Sequence, residues 1–476
     1  MKKHKLNTPV LLQPILILQP SFYLLLVVGV LLLGSCKKDF NEASTASASS
    51  EIGGEHAAAT QPNILLILAD DLGYEVPTAD GGQSYSTPNI DKLAKRGMLF
   101  TQGHATPLCS PSRVMLLTGK YSFRNYAIWG KLDLSQKTLG NMFKDAGYAT
   151  CYTGKWQNDG GDNAIRTFGF DKYSVYLPFL LDNEFLEGSR YKGCKIYQDG
   201  GYLPTSLTAD KYADDEFTSY LINFIDSSAN VGKPFFAYYA MNLVHPPLSP
   251  TPDDPEYATW DFDVRGNGDK KFFPSMVKYA DKKVGELVEH LSAIGALNNT
   301  LIIFTGDNGT PRTVTSQFNG FAVRGGKHNT TEPGTNVPLI AYWPKTIAKG
   351  MVKNDLIDFT DFLPTLADVA GIPKPITYGT LDGVSFYPTL ITGSNPNMRS
   401  TIYDAFSGDI TKRPFNRWTQ NDSYKLYDIE RKYPTSGTFV KIQQGKEDGP
   451  AIPDSALTPA ELQLKQSFQQ VLDSYH

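Results

Sequence analysis

A thiol and a guanidinium stand four residues apart in Pro107-Leu108-Cys109-Ser110-Pro111-Ser112-Arg113, just ahead of the apolar run Val114-Met115-Leu116-Leu117. That run predicts a buried helix ended by Gly119, with Cys109 in its first turn. A helix start offers free N–H groups and positive potential, so Cys109 is placed to carry a developing anion. Pro111 suits the first turn, where its missing donor costs little. Cys109 is therefore a candidate nucleophile, although for a cysteine taken alone core packing is the better reading. Asp70 and Asp71 are adjacent carboxylates after the apolar run Asn63 to Leu68, a pairing that suits a hard cation. Lys155 follows the run Gly147 to Thr153. His245 follows Pro234 to Ala240 and precedes two prolines, and Asp307 and Asn308 follow Thr300 to Thr305. Lys327 sits on a bend made by Gly325 and Gly326. Taken singly these are an Asx turn, a solvated lysine and a Gly-Asp-Asn-Gly turn.

The elements that carry them give the residues a common purpose. Short unbroken apolar runs suit strands buried on both faces. Their alternation with helices predicts an α/β fold with a large, mainly parallel sheet flanked by helices. Helices are expected over 88–96, 212–226, 273–297 and 358–370, the first capped by Thr87 and Pro88 and ended by Gly97. Strands of a parallel sheet end along one edge, so Asp70, Asp71, Lys155, His245, Asp307 and Asn308 would meet there beside Cys109. Residues 158–206 show no clean periodicity and read as a long functional loop region. From about residue 395 the chain changes character. A strand at 423–428 and a closing helix over 460–475 predict a smaller C-terminal α+β subdomain.

Taken in order, these motifs resemble those of the type I, formylglycine-dependent sulfatases of the alkaline-phosphatase superfamily, over about Pro62 to Leu390. Asn63 to Tyr74 resembles the first metal motif, Thr87 to Ala94 the following helix, and Cys109 to Lys120 the formylglycine signature. Gly154-Lys155-Trp156, His245, Gly306-Asp307-Asn308-Gly309 and Gly325-Gly326-Lys327 follow in the family order. Asp382 to Ser385 resembles a late turn of the same domain, and Tyr424 to Asp428 the terminal subdomain.

The resemblance implies that Asp70, Asp71, Asp307 and Asn308 bind one divalent cation, with Cys109, converted to formylglycine by a maturation enzyme, as a further ligand. All-oxygen ligation suits Ca²⁺ better than Mg²⁺. Arg113 would hold the formylglycine. Lys155, His245 and Lys327 would contact the sulfate, with His245 protonating the leaving alcohol. A hydrated aldehyde has two hydroxyls: one attacks sulfur, and loss of a proton from the other reforms the aldehyde and expels sulfate. Two departures stand out. Gln157 occupies a position where the family usually has a histidine associated with sulfate release, and glutamine is no base near neutral pH. His328 and Asp159 are the alternative bases. Asn336 precedes Val337-Pro338 where the family often has arginine.

The ends and the bulk composition bound the rest. Lys2, Lys3 and Lys5, the apolar stretch Ser21 to Leu33, and Leu33-Gly34-Ser35-Cys36 resemble a bacterial lipoprotein signal, with Cys36 as the lipidated residue. The chain then divides into a signal at 1–35, a flexible tether at 36–61, a catalytic domain at 62–394 and the C-terminal subdomain at 395–476. It would be exported and anchored, in the periplasm or at the outer membrane or cell surface. The formal net charge is −4, and removing the signal brings it to about −7, with none of the basic excess of a nucleic-acid binder. Cys151 and Cys194 would be either a disulfide or two buried thiols. The expected activity is hydrolysis of sulfate esters on a sulfated carbohydrate, by analogy with exported relatives. The alternatives are a phosphomonoester or phosphonate-ester hydrolase and a catalytically impaired glycan-binding lipoprotein.

Overall fold

A computed structural model describes residues 61–476 apart from 183–187, 265, 374–375, 408–415, 429–436, 444, 446 and 476. The expected export signal, Cys36 and nearly all of the expected tether lie outside the described residues. Among the described residues, no helix is long and apolar enough to cross a membrane.

The site is built on five parallel strands: Thr300–Gly306, Asn63–Ala69, Phe235–Ala240, Ala149–Lys155 and Lys172–Tyr176, side by side in that order. Each side chain of Ile64 to Ala69 is buried, and the period-two alternation of a strand divides them. Ile64, Leu66 and Leu68 enter one core with the Cys109–Thr118 and Phe362–Ala370 helices. Leu65, Ile67 and Ala69 enter the other, against the Ala213–Asn230 and Phe273–Ala293 helices. Two covered faces explain why these strands read as unbroken apolar runs rather than alternating ones. Their registers are level at the carboxyl end. Ala69 lies opposite Gly306, Leu68 opposite Ala240, and Gly154 opposite Ala240. The residues that follow these strands therefore emerge at one edge.

Beyond Thr300–Gly306 the sheet turns antiparallel. Asn336–Tyr342 runs against it, and Met98–His104 runs against Asn336–Tyr342. The second reversal returns Met98–His104 to the direction of the central strands, which delivers residues 105–108 and then Cys109 to the same edge. The region 158–206 differs from expectation. It contains the Gly161–Thr167 helix and a strand of the main sheet, Lys172–Tyr176, with short antiparallel strands Tyr197–Gln198 and Gly201–Tyr202 beyond it. Its two helical turns and five-residue strand are too short to print a clear period. Cys109, Cys151 and Cys194 are buried free thiols, so the pairing of the last two left open by the sequence does not occur.

The C-terminal part forms a five-stranded antiparallel sheet from Ile402–Phe406 to Asp448–Ala451, backed by the Pro459–Ser474 helix. Phe439, Phe468 and Leu472 join the same core as the Cys109 helix. Lys425, fully buried on this sheet, donates to the Thr330 carbonyl and lies 3.7 Å from Glu332 Oε1. Burial raises the Glu332 carboxyl, but His104, Lys425 and hydrogen bonds from Gln420 and Asn336 outweigh it and hold it below the ordinary range. The position at which the family often has arginine thus holds Asn336, which donates to Glu332, while the cation comes from Lys425. Lys425→Met leaves Glu332 buried without its cation. It should destabilise the fold by about 3–5 kcal/mol in denaturant unfolding, and combining Glu332→Gln with it should recover part of that loss.

Asp214 is a second buried acid away from the site. Its Oδ1 accepts from Tyr239 and from the Asn242 amide, and burial pushes its carboxyl up to about 7. A raised carboxyl is protonated in the fold where the unfolded chain is already ionised. Stability from this group is therefore complete below the unfolded value near 4 and is lost as pH rises toward 7. Asp214→Asn removes that loss. The melting temperature of the variant relative to the parent should climb between pH 4 and 7, then level off.

Candidate active site

The Cys109–Thr118 helix begins at the cysteine itself, and every residue in it is buried. Its first-turn N–H groups and the 3% exposed Cys109 thiol face the carboxyl edge of the sheet. Leu108 precedes it in extended conformation, and Gly119 ends it in the left-handed region at φ 66°. Asp70, Cys109 and Asp307 each offer an atom within 4.8 Å of the others, and Asp70, Asp71 and His245 do likewise. The edge is laced together by its backbone. Asp307 N donates to Ala69 O at 3.0 Å, Asp70 N to Leu243 O at 2.8 Å, and Val244 N to Asp70 O at 2.7 Å. Asp71 N donates to Asp307 Oδ1 at 3.0 Å, and Asn308 Nδ2 to Asp71 Oδ1 at 2.9 Å.

The cations interleave with these acids. Lys155 Nζ lies 2.7 Å from Asp70 Oδ2, and Lys327 Nζ 2.6 Å from Asp71. Arg113 grips Asp307 Oδ2 through Nε at 2.9 Å and Nη2 at 2.8 Å, and Nη1 reaches the Lys155 carbonyl at 3.1 Å. Its guanidinium is thus turned to Asp307, with Asp70 Oδ1 at 3.6 Å. Both site lysines follow glycines that nothing larger could replace. Gly154 has φ 92°, and a Cβ there would lie 1.8 Å from Ala240 O. A Cβ on Gly326 would lie 2.3 Å from the Pro333 carbonyl carbon.

Arg190 is a member of this cluster that the sequence did not disclose. Its Nη1 is 3.3 Å from Asp70 Oδ2, and its guanidinium lies over the Tyr176 ring at 5.2 Å. It belongs to the stretch without periodicity, and neither a motif nor a neighbouring strand end signals it.

The charges are strongly coupled. Burial raises the Asp70 carboxyl, but Lys155, His245, Arg113 and Arg190 outweigh it and hold it well below the usual range. Asp307, desolvated and facing Asp70 with chiefly Arg113 against that repulsion, is pushed up to about 7. Two buried carboxylates at this spacing are held ionised together only by further positive charge between them. Asp70 Oδ1 and Asn308 Oδ1 are buried and accept no hydrogen bond. Unsatisfied inward oxygens among three carboxylates and an amide fit a hard divalent cation. Lys327 remains a cation, since Asp71, Cys109 and Asp70 together outweigh its burial.

His245 Nε2 stands 3.8 Å from Asp71 Oδ2, and its Nδ1 is 2.5 Å from the Pro246 carbonyl. A carbonyl there assigns the proton to Nδ1 and leaves Nε2 bare toward the site. Burial, Arg190 and Lys327 hold this imidazole well below its ordinary value, with Asp70 opposing. Gln157 lines a cavity of about 290 Å³ with His245 and Arg190. Its backbone is left-handed at φ 54°, and its Oε1 is buried without a partner. His328 borders a second cavity of about 760 Å³ with Asp71 and Lys327. Asp159 is otherwise engaged, its carboxylate accepting from Leu181 N at 3.3 Å.

A family model described as Sulfatase matches residues 62–372, and one described as N-sulphoglucosamine sulphohydrolase, C-terminal, matches 326–467. Arylsulfatase A of Bos taurus is 32% identical over 383 residues, covering 74% of this chain and 73% of its own. N-acetylgalactosamine-6-sulfatase of Mus musculus is 32% identical over 381 residues, covering 72% and 69%. Among solved structures, Ps i-CgsB superposes with a TM-score of 0.72 at 26% identity, over 87% of this chain and 92% of that one. Its complex with k-i-k-neocarrahexaose matches equally well. A sulfatase from Pseudoalteromonas sp., PsFucS1, gives 0.61 at 27% identity over 77% and 78%. The chain belongs to the sulfatase family, sulfuric ester hydrolases with the alkaline-phosphatase-like fold.

Proposed function

We propose that this protein removes sulfate from a sulfated carbohydrate, with Cys109 converted to formylglycine and a divalent cation, Ca²⁺ in preference to Mg²⁺, held by Asp70, Asp71, Asp307, Asn308 and the converted Cys109. The observation that carries this reading is the meeting of Cys109, at a helix start, with acids from two strand ends and lysines from two further segments. When present, the cation supplies Lewis-acid charge for the sulfuryl oxygens, and the converted residue supplies a hydrated aldehyde as nucleophile.

The chain's own groups do the remaining work. Lys155 and Lys327 each neutralise one acid here. With a cation shared among the acids, both ammonium groups would be available to the sulfate oxygens, where negative charge grows. Arg113 orients Asp307 and, through Nη1, fixes the turn that carries Lys155. His245 presents Nε2 to the site, and an anionic substrate offsets the cations that depress it, so the proton for the leaving alcohol is carried there. His328, facing the same site, is the group that stands in for the histidine absent at Gln157. Burial and Lys327 keep its imidazole neutral and able to accept a proton.

Carbohydrate as the substrate class is supported by relatives named for an amino-sugar sulfate and by a structural neighbour bound to a neocarrahexaose. The N-terminal pattern supports export with lipid on Cys36, at the periplasm or the outer surface. The test is a panel of defined sulfated oligosaccharides, with free sulfate measured, using protein from a host that installs formylglycine. Release from at least one glycan, with an aryl phosphate turned over far more slowly, is the expected result. Phosphate release without sulfate release from any member would overturn it.

A further inference from the structure

Two depressions flank the His245–Asp71 pair, and their walls have opposite chemistry. One, of about 290 Å³, is walled by Trp129, Tyr176, Trp260 and Phe262, with Arg190, Gln157, His245 and Asn267 among its polar groups. The other, of about 760 Å³, is bordered by Lys270, Arg312 and His328 beside Lys327. Pro246, Pro247 and Gly266 line both, so the two adjoin, one reaching His245 and the other Asp71 and Lys327. Aromatic faces with a few fixed polar groups suit a sugar ring.

Within the basic lobe, Lys270 and Arg312 stand apart from Lys327, which with Lys155 is assigned above to that ring's own sulfate. Arg312 and Lys270 are exposed, and among the described residues neither side chain forms an ion pair. The neighbouring Lys271 is tied to Glu256 at 2.9 Å, and Lys282 to Asp253 at 2.9 Å. The one further carboxylate in the lobe, Asp269, is engaged in capping, accepting from Lys271 N at 2.9 Å. Arg312 is also held in place from behind, because Arg324 Nε donates to its carbonyl at 2.9 Å. Arg312 and Arg324 then share a further depression of about 260 Å³. Basic side chains therefore lead outward from Lys327, which is paired with Asp71, across Arg312 to Arg324, whose depression also holds Glu447. Such a row favours a ligand that carries charge beyond its first sulfate.

We infer that Lys270 and Arg312 form a specificity subsite for a second anionic group, sulfate or carboxylate, on the sugar next to the one that loses its sulfate. The inference rests on the sulfatase reading and narrows its substrate to polyanionic glycans. Singly sulfated chains leave the subsite without a ligand.

Binding separates this claim from catalysis. Full-length Cys109→Ala protein, which does not consume its ligand, is titrated calorimetrically with three matched tetrasaccharides in the presence of Ca²⁺. One carries a single sulfate, one a second sulfate on the adjacent sugar, and one a carboxylate there. The doubly charged probes should bind about tenfold tighter than the first. Adding Lys270→Ala and Arg312→Ala should abolish that difference while leaving the single-sulfate affinity unchanged. Gain with both probes means that charge is read, and gain with one identifies sulfate or carboxylate as its source. In the formylglycine-bearing enzyme the same double substitution should raise KM for doubly charged substrates about tenfold at constant kcat. Equal affinity for all three probes, or an unchanged preference in the double variant, would overturn the subsite. Preferential binding without any sulfate release would instead preserve the subsite and count against the sulfatase reading.

Discussion

Cys109→Ala should lose sulfate release by about 10⁴-fold or more while remaining folded. The thiol position is buried at the first turn of a helix whose packing comes from Val114, Met115, Leu116 and Leu117, not from Cys109. Truncation there costs about 1 kcal/mol, which leaves the thermal transition in place. The activity loss is disproportionate because no other nucleophile stands in the cluster. The nearest side chains are acids already committed to Arg113, Lys155 and Lys327. Cys109→Ser, which offers one hydroxyl and not two, should fall with it. Sulfate release together with a melting curve for each variant distinguishes loss of chemistry from loss of fold.

Removal of divalent cation should be nearly as severe. Asp307 is raised to about 7 by burial and by Asp70, and two inward oxygens lack hydrogen bonds. A cation relieves both costs in the folded chain and has no comparable site in the unfolded one. At a thousandfold excess over its dissociation constant it stabilises by about 4 kcal/mol. Chelation should therefore lower the melting temperature and remove sulfate release together. Ca²⁺ should restore both better than Mg²⁺, whose octahedral demand is poorly met by so many protein oxygens. Asp70→Asn should blunt the calcium-dependent rise in melting temperature, a readout independent of activity.

The positions of Asp70, Lys155, His245 and Asp307 were readable because each follows an apolar run short enough to be a doubly covered strand. The level register of those strands does the rest. Direction was not readable. Asn336–Tyr342 is as apolar as its neighbours yet runs antiparallel, and nothing in a run of buried residues encodes its sense. Arg190 escaped notice because its partner, Asp70, is 120 residues away and its own surroundings have no period. Lys425 escaped for a related reason. A lysine in a short polar strand reads as solvated, and only tertiary packing against Glu332 and Thr330 reveals a buried cation. Arg113 was found by motif, but its partner was not. The resemblance implies that it holds the modified residue, and packing adds an ion pair to Asp307 that no local pattern signals.

These findings leave the chemical identity of residue 109 as the pivot of the account. The most direct measurement is mass spectrometry of the peptide containing residue 109, taken from protein of known specific activity and treated with a hydrazine probe. An aldehyde that reacts with the probe, in a proportion that tracks sulfate release from batch to batch, is the predicted result. Fully active protein whose Cys109 is an intact thiol would contradict it.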